Sequence, residues 1–316
     1  MANFDISGSE EKIITTISNF IENQSRDRGV DGVLILFSGY IDSTIVARLS
    51  LDIFGKEKVK LFVRMDRFNK NQAEILTNSF DFLGVDDENI ESLNIDPIVD
   101  QLKTTKIPTS AIKEVQSIYE PLSYDLLKIT MKDEILEKTY GMIGSIDSER
   151  ERQLRNIFAY NKLRSRIHMA AAYLFAEQEN RLLLGSINKT EIQTGLFTKW
   201  GYGHCSDLLP LGDLYRTQIL QLAEKLEIPH SIRDLAKADL VPGIKNKYLY
   251  FFNLDSSQVD TILMNLSEGL DAKMISRKYE IEIDTVKRVD FFYSSAPFST
   301  GDPMIPKIEI DFGSEN

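Results

Sequence analysis

The stretch LFSGYIDST (36–44) places residues that could bind phosphate at the end of an apolar run. A strand end followed by a helix start presents backbone N–H groups and a positive dipole end to an anion. Ser38 and Ser43 can add hydroxyl donors, whereas Asp42 would repel phosphate unless a divalent cation lies between them. Mg²⁺-bound pyrophosphate fits this pattern. An ordinary helix cap fits it as well, and this stretch alone does not decide between the two.

Tyr40 stands in the middle of this loop, where a phosphate site normally has a small residue. The loop lacks the Gly-Lys-Ser/Thr of a Walker A motif, and GYGHCS (201–206) does not join a strand to a helix as a dinucleotide motif would. A side chain at a left-handed backbone position costs roughly 1–2 kcal/mol. We expect Tyr40 to bear that cost, and we expect its ring to point away from the loop so that pyrophosphate can bind.

Short apolar runs alternate with helical patterns along most of the chain. This alternation predicts an α/β fold, a doubly wound parallel sheet with flanking helices. The predicted strands are 32–38, 58–65, 89–96 and 181–186, and the predicted helices are 10–27, 42–55, 69–84, 163–178 and 213–229.

Residues 104–155 mix helical patches with two prolines and are interpreted as an insertion between sheet units. We therefore predict an α/β domain of residues 1–255 that carries this insertion, followed by a helical cap and tail of residues 256–316. The short helical patterns within 256–291 could also belong to a helix-turn-helix DNA reader. The acidic balance of the chain opposes that alternative.

Composition excludes several classes of protein. The 316-residue chain has a formal net charge of −11 and shows no basic segment, so nucleic acid is not an expected partner. No run approaches the ~18 apolar residues of a membrane span, and the first residues carry no secretion pattern, so we expect a cytoplasmic protein without a membrane partner. A single cysteine, Cys205, and three scattered histidines argue against a disulfide framework and against a cysteine or histidine metal centre.

A second segment, LLLGSINKTEIQTGLFTKWGYGHCSDLLPLGDLYRTQ (182–218), is dense in polar and glycine residues. Together with SGYIDS it resembles the NAD synthetases of the ATP-pyrophosphatase (PP-loop) superfamily. That family carries Ser-Gly-Gly-x-Asp-Ser after its first strand. After a later strand it carries Gly-Thr-x-Asn-Lys-Ser-Glu, then Thr-Lys-Tyr-Gly-Asp-Gly and Pro-Ile-Gly-Asp-Leu-Tyr-Lys-Thr-Gln. The resemblance covers roughly residues 10–290, without the insertion, and implies an adenine nucleotide α-hydrolase-like fold.

The resemblance implies that ATP and Mg²⁺ serve as cosubstrate and metal. Family members activate a carboxylate by transferring AMP to it from ATP, with release of pyrophosphate. Ammonia then displaces AMP and leaves an amide, which converts deamido-NAD to NAD. The implied partners are therefore a small carboxylate acceptor and ammonia, and the family also implies a homodimer.

The resemblance assigns residues to each part of this chemistry. It implies that Asp42 and Glu191 are metal ligands, and that Lys199 joins them in catalysis. The implied ATP-binding residues are Ser38, Gly39, Tyr40, Asp42, Ser43, Met65, Arg166 and Ser186, and the implied substrate-binding residues are Thr198, Lys199, Asp207 and Arg216. Taken singly, Lys199 and Arg216 could be surface cations, Glu191 a helix-start carboxylate and Asp207 the cap of the next turn.

Several positions depart from the family pattern. Tyr40 and Tyr202 replace a Gly and an Asp, and His168 replaces an Arg. The segments DLAKADL (234–240) and GIKNK (243–247) lack the family's lysine, prolines and two acids, and the Lys-Arg expected near the end is absent. Because the metal and ATP residues persist while the acceptor-side residues differ, we interpret the chain as an adenylating enzyme.

Three functions stay open at this point. The leading one is amide synthesis of the NAD synthetase type. A paralogous ligase acting on a different carboxylate is the first alternative, and a non-catalytic nucleotide-binding module is the second. The single cysteine lies inside the synthetase motif, where it cannot serve a glutamine-hydrolysing domain. We therefore expect free ammonia, or ammonia from a separate protein, as the nitrogen source.

Overall fold

A computed structural model describes residues 4–64, 70–103, 149–233 and 247–300. The predicted insertion (104–148), the segment 234–246 and the tail (301–316) lie outside the described residues. In chain order the elements are α1 (Glu10–Arg28), β1 (Gly32–Phe37), α2 (Ile41–Phe54), β2 (Val59–Arg64), α3 (Lys70–Leu83), β3 (Ile90–Leu93), α4 (Asp96–Lys103), α5 (Glu149–Gln178), β4 (Arg181–Leu184), α6 (Lys189–Thr194), α7 (Arg216–Lys225), α8 (His230–Arg233), α9 (Lys247–Phe252), α10 (Ser256–Ser267), α11 (Ala272–Tyr279) and α12 (Ile283–Thr300).

The four strands form one parallel sheet in the order β3-β2-β1-β4. Val33 pairs with Val59 in β2 and with Leu182 in β4, so β1 lies between them in the centre of the sheet. After β3 the chain returns to the other side of β1 to form β4. In such sheets ligands bind outside the carboxyl ends of the strands, at the point where the strand order reverses. A ligand site is therefore expected at the carboxyl ends of β1 and β4.

Helices cover both faces of the sheet, and this confirms the predicted doubly wound α/β fold. All six residues of β1 are buried, which is the pattern expected of a strand with helices on both sides. Ile35 and Phe37 pack in a core with residues of α1, α2 and α7. Leu34 and Leu36 face the opposite way and pack against α5, including Met169.

The C-terminal helices have a hydrophobic core of their own. Phe251, Val259 and Phe292 belong to this core, which also takes in Tyr215 from the start of α7. The three helical patterns predicted after residue 255 form α10, α11 and α12, and the last of these continues to Thr300. Helix α5 likewise begins at Glu149, inside the segment predicted to be an insertion.

In the part of the chain that the structure describes, no helix has the length and apolar character needed to cross a membrane.

Candidate active site

The loop between β1 and α2 requires glycine at one position. Gly39 has φ +77°, in the left-handed region that favours glycine. A Cβ placed there would lie 3.0 Å from Ile75 Cγ2. The Gly39 carbonyl accepts a hydrogen bond of 2.7 Å from Ser79 Oγ in α3. Helix α3 therefore packs against this loop and fixes its backbone through Ile75 and Ser79.

Tyr40 does not carry the backbone strain that the sequence led us to expect. Its φ is −82° and its ψ 165°, an ordinary extended conformation at the N-cap of α2. Its carbonyl accepts from Thr44 N at 2.9 Å and from Ser43 Oγ at 3.0 Å. The predicted cost at Tyr40 is wrong, because the preceding residue, Gly39, adopts the positive φ instead.

The two loop serines face each other. Ser38 Oγ and Ser43 Oγ are 3.1 Å apart, and Ser38 N donates to Ser43 Oγ at 3.3 Å. Ser43 lies in the first turn of α2, where backbone N–H groups have no hydrogen-bond acceptor within the helix. Hydroxyl groups and a helix start therefore meet at the end of the central strand, as the phosphate-loop interpretation expects.

Asp42 and Glu191 meet through Asn188. Asp42 is completely buried, and its Oδ1 accepts from Asn188 Nδ2 at 2.8 Å. Asn188 is the N-cap of α6, where its Oδ1 accepts from Glu191 N and its own N donates to Glu191 Oε2, both at 3.0 Å. This reciprocal capping box fixes both side chains. The structure thus brings the two predicted metal ligands to one place.

Each of these carboxylates is also paired with a buried cation. Arg216 Nη1 lies 2.7 Å from Asp42 Oδ2, and Lys247 Nζ lies 2.5 Å from Glu191 Oε1. Arg216 is 7% exposed and Lys247 is 5% exposed. The two buried carboxylates and the two buried cations therefore neutralise one another in pairs. Arg216 is buried, so its reading as a surface cation is wrong.

The pKa values of the neighbours follow from this network. Burial alone would lower the pKa of Arg216, but Asp42 above all, with Tyr248 and Glu191, raises it. Burial, with Glu191 next in importance, raises the pKa of Tyr248 well above its ordinary value. Arg216 therefore stays charged and Tyr248 stays neutral at physiological pH.

The donor set at Asp42 and Glu191 fits Mg²⁺ in its chemistry. Mg²⁺ prefers oxygen ligands and is usually bound by one or two carboxylates together with substrate phosphates. Among the described residues, no three or more His, Cys, Asp and Glu side chains gather to hold a metal ion. The pair therefore fits a metal whose remaining ligands are water and substrate phosphate, in exchange for the contacts that Arg216 and Lys247 now make.

A turn around residue 200 packs against α5 and reaches the ends of the strands. Arg166 Nε, in α5, donates to the Lys199 carbonyl at 3.2 Å. Tyr202 Oη donates to the carbonyls of Phe62 at 2.9 Å and Phe37 at 3.3 Å, the last residue of β1. This turn therefore lies beside the loop between β1 and α2, which begins at Ser38, the residue after Phe37.

Other predicted site residues lie on or near this turn. Thr198 is half-buried and its carbonyl accepts from Gly201 N at 2.9 Å, while Lys199 Nζ lies 5.2 Å from the Trp200 ring centre. Ser186 is buried just after β4. Met65 lies outside the described residues.

Asp207 makes contacts of a different kind. Its Oδ2 accepts from Leu183 N at 2.8 Å and its Oδ1 accepts from Tyr173 Oη at 3.2 Å. Burial, together with Asp207, raises the pKa of Tyr173. Asp207 therefore extends the hydrogen bonding of β4 instead of capping the next turn, and these contacts do not bring it to the Asp42 network.

The sequence did not indicate three residues of this network: Asn188, Lys247 and Asp260. The capping-box spacing of Asn188 and Glu191 was the available signal for the first. Lys247 and Asp260 have no local pattern, since they meet the motif residues only through the packing of α9 and α10.

Asp260 connects the C-terminal helices to the motif helices. It accepts from Thr190 Oγ1 at 2.6 Å, from Thr217 N at 2.8 Å and from Thr217 Oγ1 at 2.6 Å. Thr190 Oγ1 in turn accepts from Arg216 N at 2.9 Å. Burial raises the pKa of Asp260, and the hydrogen bonds from both threonines oppose that rise.

Comparison with known proteins places this geometry in a family. The sequence pattern of NAD synthase matches residues 13–301, which is most of the chain. The chain belongs to the NAD synthase family. An NH(3)-dependent NAD(+) synthetase of Coprothermobacter proteolyticus is 28% identical over 279 residues, covering 84% of this chain and 88% of the relative. Another, from Methanosarcina acetivorans, is 27% identical over 305 residues, covering 94% and 98%.

Similar solved structures confirm the fold. An NH3-dependent NAD synthetase from Campylobacter jejuni superposes with a TM-score of 0.64 at 18% identity, covering 94% of this chain and 99% of that one. An NMN synthetase from Francisella tularensis gives 0.63 at 17% identity, covering 97% and 100%. At these identities the likeness establishes the architecture alone.

Proposed function

We propose that this chain is an ammonia-dependent NAD synthetase, which converts deamido-NAD, ATP and NH₃ to NAD, AMP and pyrophosphate. Membership of the NAD synthase family and its curated relatives support this assignment. The observation that carries it is the meeting of Asp42 and Glu191, from two motifs far apart in sequence, beside the Ser38–Ser43 loop at the end of β1.

The reaction has two displacements. A carboxylate oxygen of the acceptor attacks the α-phosphorus of ATP, and the bond to the bridging oxygen breaks as pyrophosphate leaves. The nitrogen of ammonia then attacks the activated carbonyl carbon, AMP leaves with the C–O bonding pair, and ammonia gives up a proton. Loss of pyrophosphate requires positive charge at the phosphates, because three or more negative oxygens separate together.

We assign residue roles from the family resemblance. Ser38, Gly39, Tyr40 and Ser43 are assigned to the pyrophosphate, with Ser38 and Ser43 as hydroxyl donors. Asp42 and Glu191 are assigned to Mg²⁺, which would neutralise phosphate charge when bound. Thr198, Lys199 and Arg216 are assigned to the substrate phosphates, where a guanidinium is a strong phosphate partner. Met65, Arg166 and Ser186 complete the proposed ATP site, and Asp207 the proposed substrate site.

The test is conversion of deamido-NAD with ATP, Mg²⁺ and ammonium, followed by chromatography of NAD and AMP. Asp42→Asn and Glu191→Gln should each abolish AMP formation. Because each leaves a buried cation without its partner, activity is measured at a temperature where circular dichroism shows the variant folded. Asp52→Asn is the matched control. Asp52 also lies in helix α2, but it is on the surface, and among the described residues its carboxylate pairs only with Arg48. Wild-type turnover in Asp42→Asn at saturating Mg²⁺ would refute the metal assignment.

A ligase acting on a different carboxylate is the second candidate. Tyr202, where the family has an Asp, uses its hydroxyl to bind the strand-end carbonyls of Phe37 and Phe62. A phenol in this place cannot supply the negative charge of a carboxylate. AMP release with nicotinate mononucleotide or another acid, and none with deamido-NAD, would favour this candidate.

The proposal extends to partners and location. Ammonia is the direct nitrogen donor, either free in solution or delivered by a separate protein. We also propose a cytoplasmic homodimer, in line with the family resemblance. Light scattering at micromolar concentration should give twice the chain mass of 36.1 kDa, and a stable mass of one chain would contradict the dimer.

A further inference from the structure

Lys247 forms a buried ion pair with Glu191, the carboxylate proposed to bind a metal ion. Its Nζ is 2.5 Å from Glu191 Oε1, with side-chain exposures of 6% and 4%. The other oxygen, Oε2, accepts from Asn188 N at 3.0 Å. Both oxygens of this carboxylate are therefore engaged, one by a helix-capping bond and the other by an ammonium group.

Lys247 differs in kind from Arg216, the cation that pairs with Asp42 in the same network. Arg216 begins α7, its backbone N donates to Thr190 Oγ1, and it matches a cation of the family motif. Lys247 begins the short helix α9 and ends the segment GIKNK, where the family pattern carries acids. The ammonium group on Glu191 is thus a feature of this chain and does not follow from the motif.

A buried carboxylate strongly favours a cation next to it, since an unpaired buried charge is costly. A divalent cation bound to Glu191 would lie within a few ångströms of the Lys247 ammonium group, and like charges that close in a buried site repel each other strongly. We propose that Lys247 competes with the divalent cation for Glu191, so that metal binding requires the ammonium group to leave this carboxylate. This inference rests on the assignment of Glu191 as a metal ligand under the proposed function.

The experiment measures metal binding without ATP and without turnover. Mn²⁺ is titrated into the full chain, and free Mn²⁺ is read from its electron paramagnetic resonance signal. Lys247→Met removes the charge and keeps the length of the side chain, and should tighten Mn²⁺ binding at least tenfold over wild type. Adding Glu191→Gln to Lys247→Met should remove that gain.

Lys189→Met is the matched control. Lys189 also begins a short helix and also pairs with a carboxylate, Asp213, at 2.8 Å, but that carboxylate is 96% exposed. Loss of this pair should leave Mn²⁺ affinity within twofold of wild type. An equal gain in Mn²⁺ affinity in both variants would mean that the overall charge of the protein controls metal affinity, and not the pairing of Lys247 with Glu191. That result would overturn the inference.

A second measurement uses the wild-type chain and does not depend on a variant folding. Lysine labelling by an amine-reactive reagent, read by peptide mass spectrometry, should increase at Lys247 when Mn²⁺ is added, because the ammonium group is released. Unchanged labelling would overturn the inference, as would a folded Lys247→Met that binds Mn²⁺ no tighter than wild type. Tighter binding together with no AMP formation on any acid would instead refute the proposed function.

Discussion

Asn188 Nδ2 lies 2.8 Å from Asp42 Oδ1, and this bond joins the start of α2 to the start of α6. Both ends of the Asn188 amide are used, since its Oδ1 accepts from Glu191 N. The side chain therefore caps a helix and supplies a donor to a buried carboxylate in the same position. Few residue types can serve both needs, because the cap calls for an acceptor and Asp42 calls for a donor.

Asn188→Asp should separate these two roles. Asp is as good an N-cap as Asn, so the capping bond to Glu191 N is retained. The donor to Asp42 is lost, however, and two buried carboxylates then face each other. We expect the free energy of unfolding to fall by about 1–3 kcal/mol at pH 7, measured by urea denaturation. Asn188→Ser, which keeps a cap and adds no charge, is the control and should lose less.

Substitutions at Gly39 and Tyr40 should have different effects on ATP binding. Gly39→Ala forces a Cβ at φ +77° to within 3.0 Å of Ile75, so we expect loss of ATP binding together with lower stability. Tyr40→Gly relieves no strain, because Tyr40 is already extended. It should leave ATP affinity within about tenfold, or ~1.4 kcal/mol, by calorimetric titration with ATP and Mg²⁺. ATP binding by the glycine variant alone would mean that the tyrosine ring blocks the native loop.

The strands and most of the helices could be predicted from local patterns. A buried run such as 32–37 between two helical patterns has few alternatives, and its hydrophobic residues determine the sheet without long-range information. Helix α5 spans Glu149–Gln178, whereas the sequence predicted a helix only over 163–178. The prediction was too short because the first residues of α5 are polar and follow a segment with two prolines. Polar helix starts carry no periodic signal.

Prediction of the site was less complete, for a physical reason. Asp42 and Glu191 stood in motifs, and the structure brings them together. The cations that neutralise them, Arg216 and Lys247, were not expected to pair with them, because ion pairing between distant elements depends on their packing and not on spacing. The strain at Tyr40 was misjudged for a related reason, since one residue of register decides which position takes the positive φ.

Lys162 should give the folded state a pH dependence. Burial, with Arg166 nearby, lowers the pKa of Lys162 from 10.5 to about 8. Protonation of Lys162 therefore costs stability below pH 8, and the cost fades as pH rises from 8 to 10.5. Lys162→Met should raise the melting temperature at pH 7, with a gain that vanishes by pH 10.5. Lys273→Met, at an exposed position, is the control, and an equal gain there would contradict the assignment.

Asp260 should be a positioning residue for Arg216, although it lies in the C-terminal helices. Its carboxylate accepts three hydrogen bonds, from Thr190 and from the N–H and hydroxyl of Thr217, and Thr190 holds the backbone of Arg216. In Asp260→Asn the amide can accept at one end only. In one orientation its NH₂ group would meet the Thr217 N–H, donor against donor, and in the other it would face Thr190 Oγ1, whose hydroxyl would lose its acceptor. The free energy of unfolding should fall by about 1–3 kcal/mol.

The KM for ATP distinguishes a positioning role of Asp260 from a purely structural one. Because Arg216 moves with Thr190 and Thr217, Asp260→Asn should raise KM for ATP severalfold at a temperature where the variant is fully folded, with a smaller change in kcat. Asp255→Asn, at the N-cap of the same helix α10, is the control, since Asn caps as well as Asp. Both quantities should stay at wild-type values there. A lowered melting temperature in Asp260→Asn with an unchanged KM for ATP would leave Asp260 with a structural role alone.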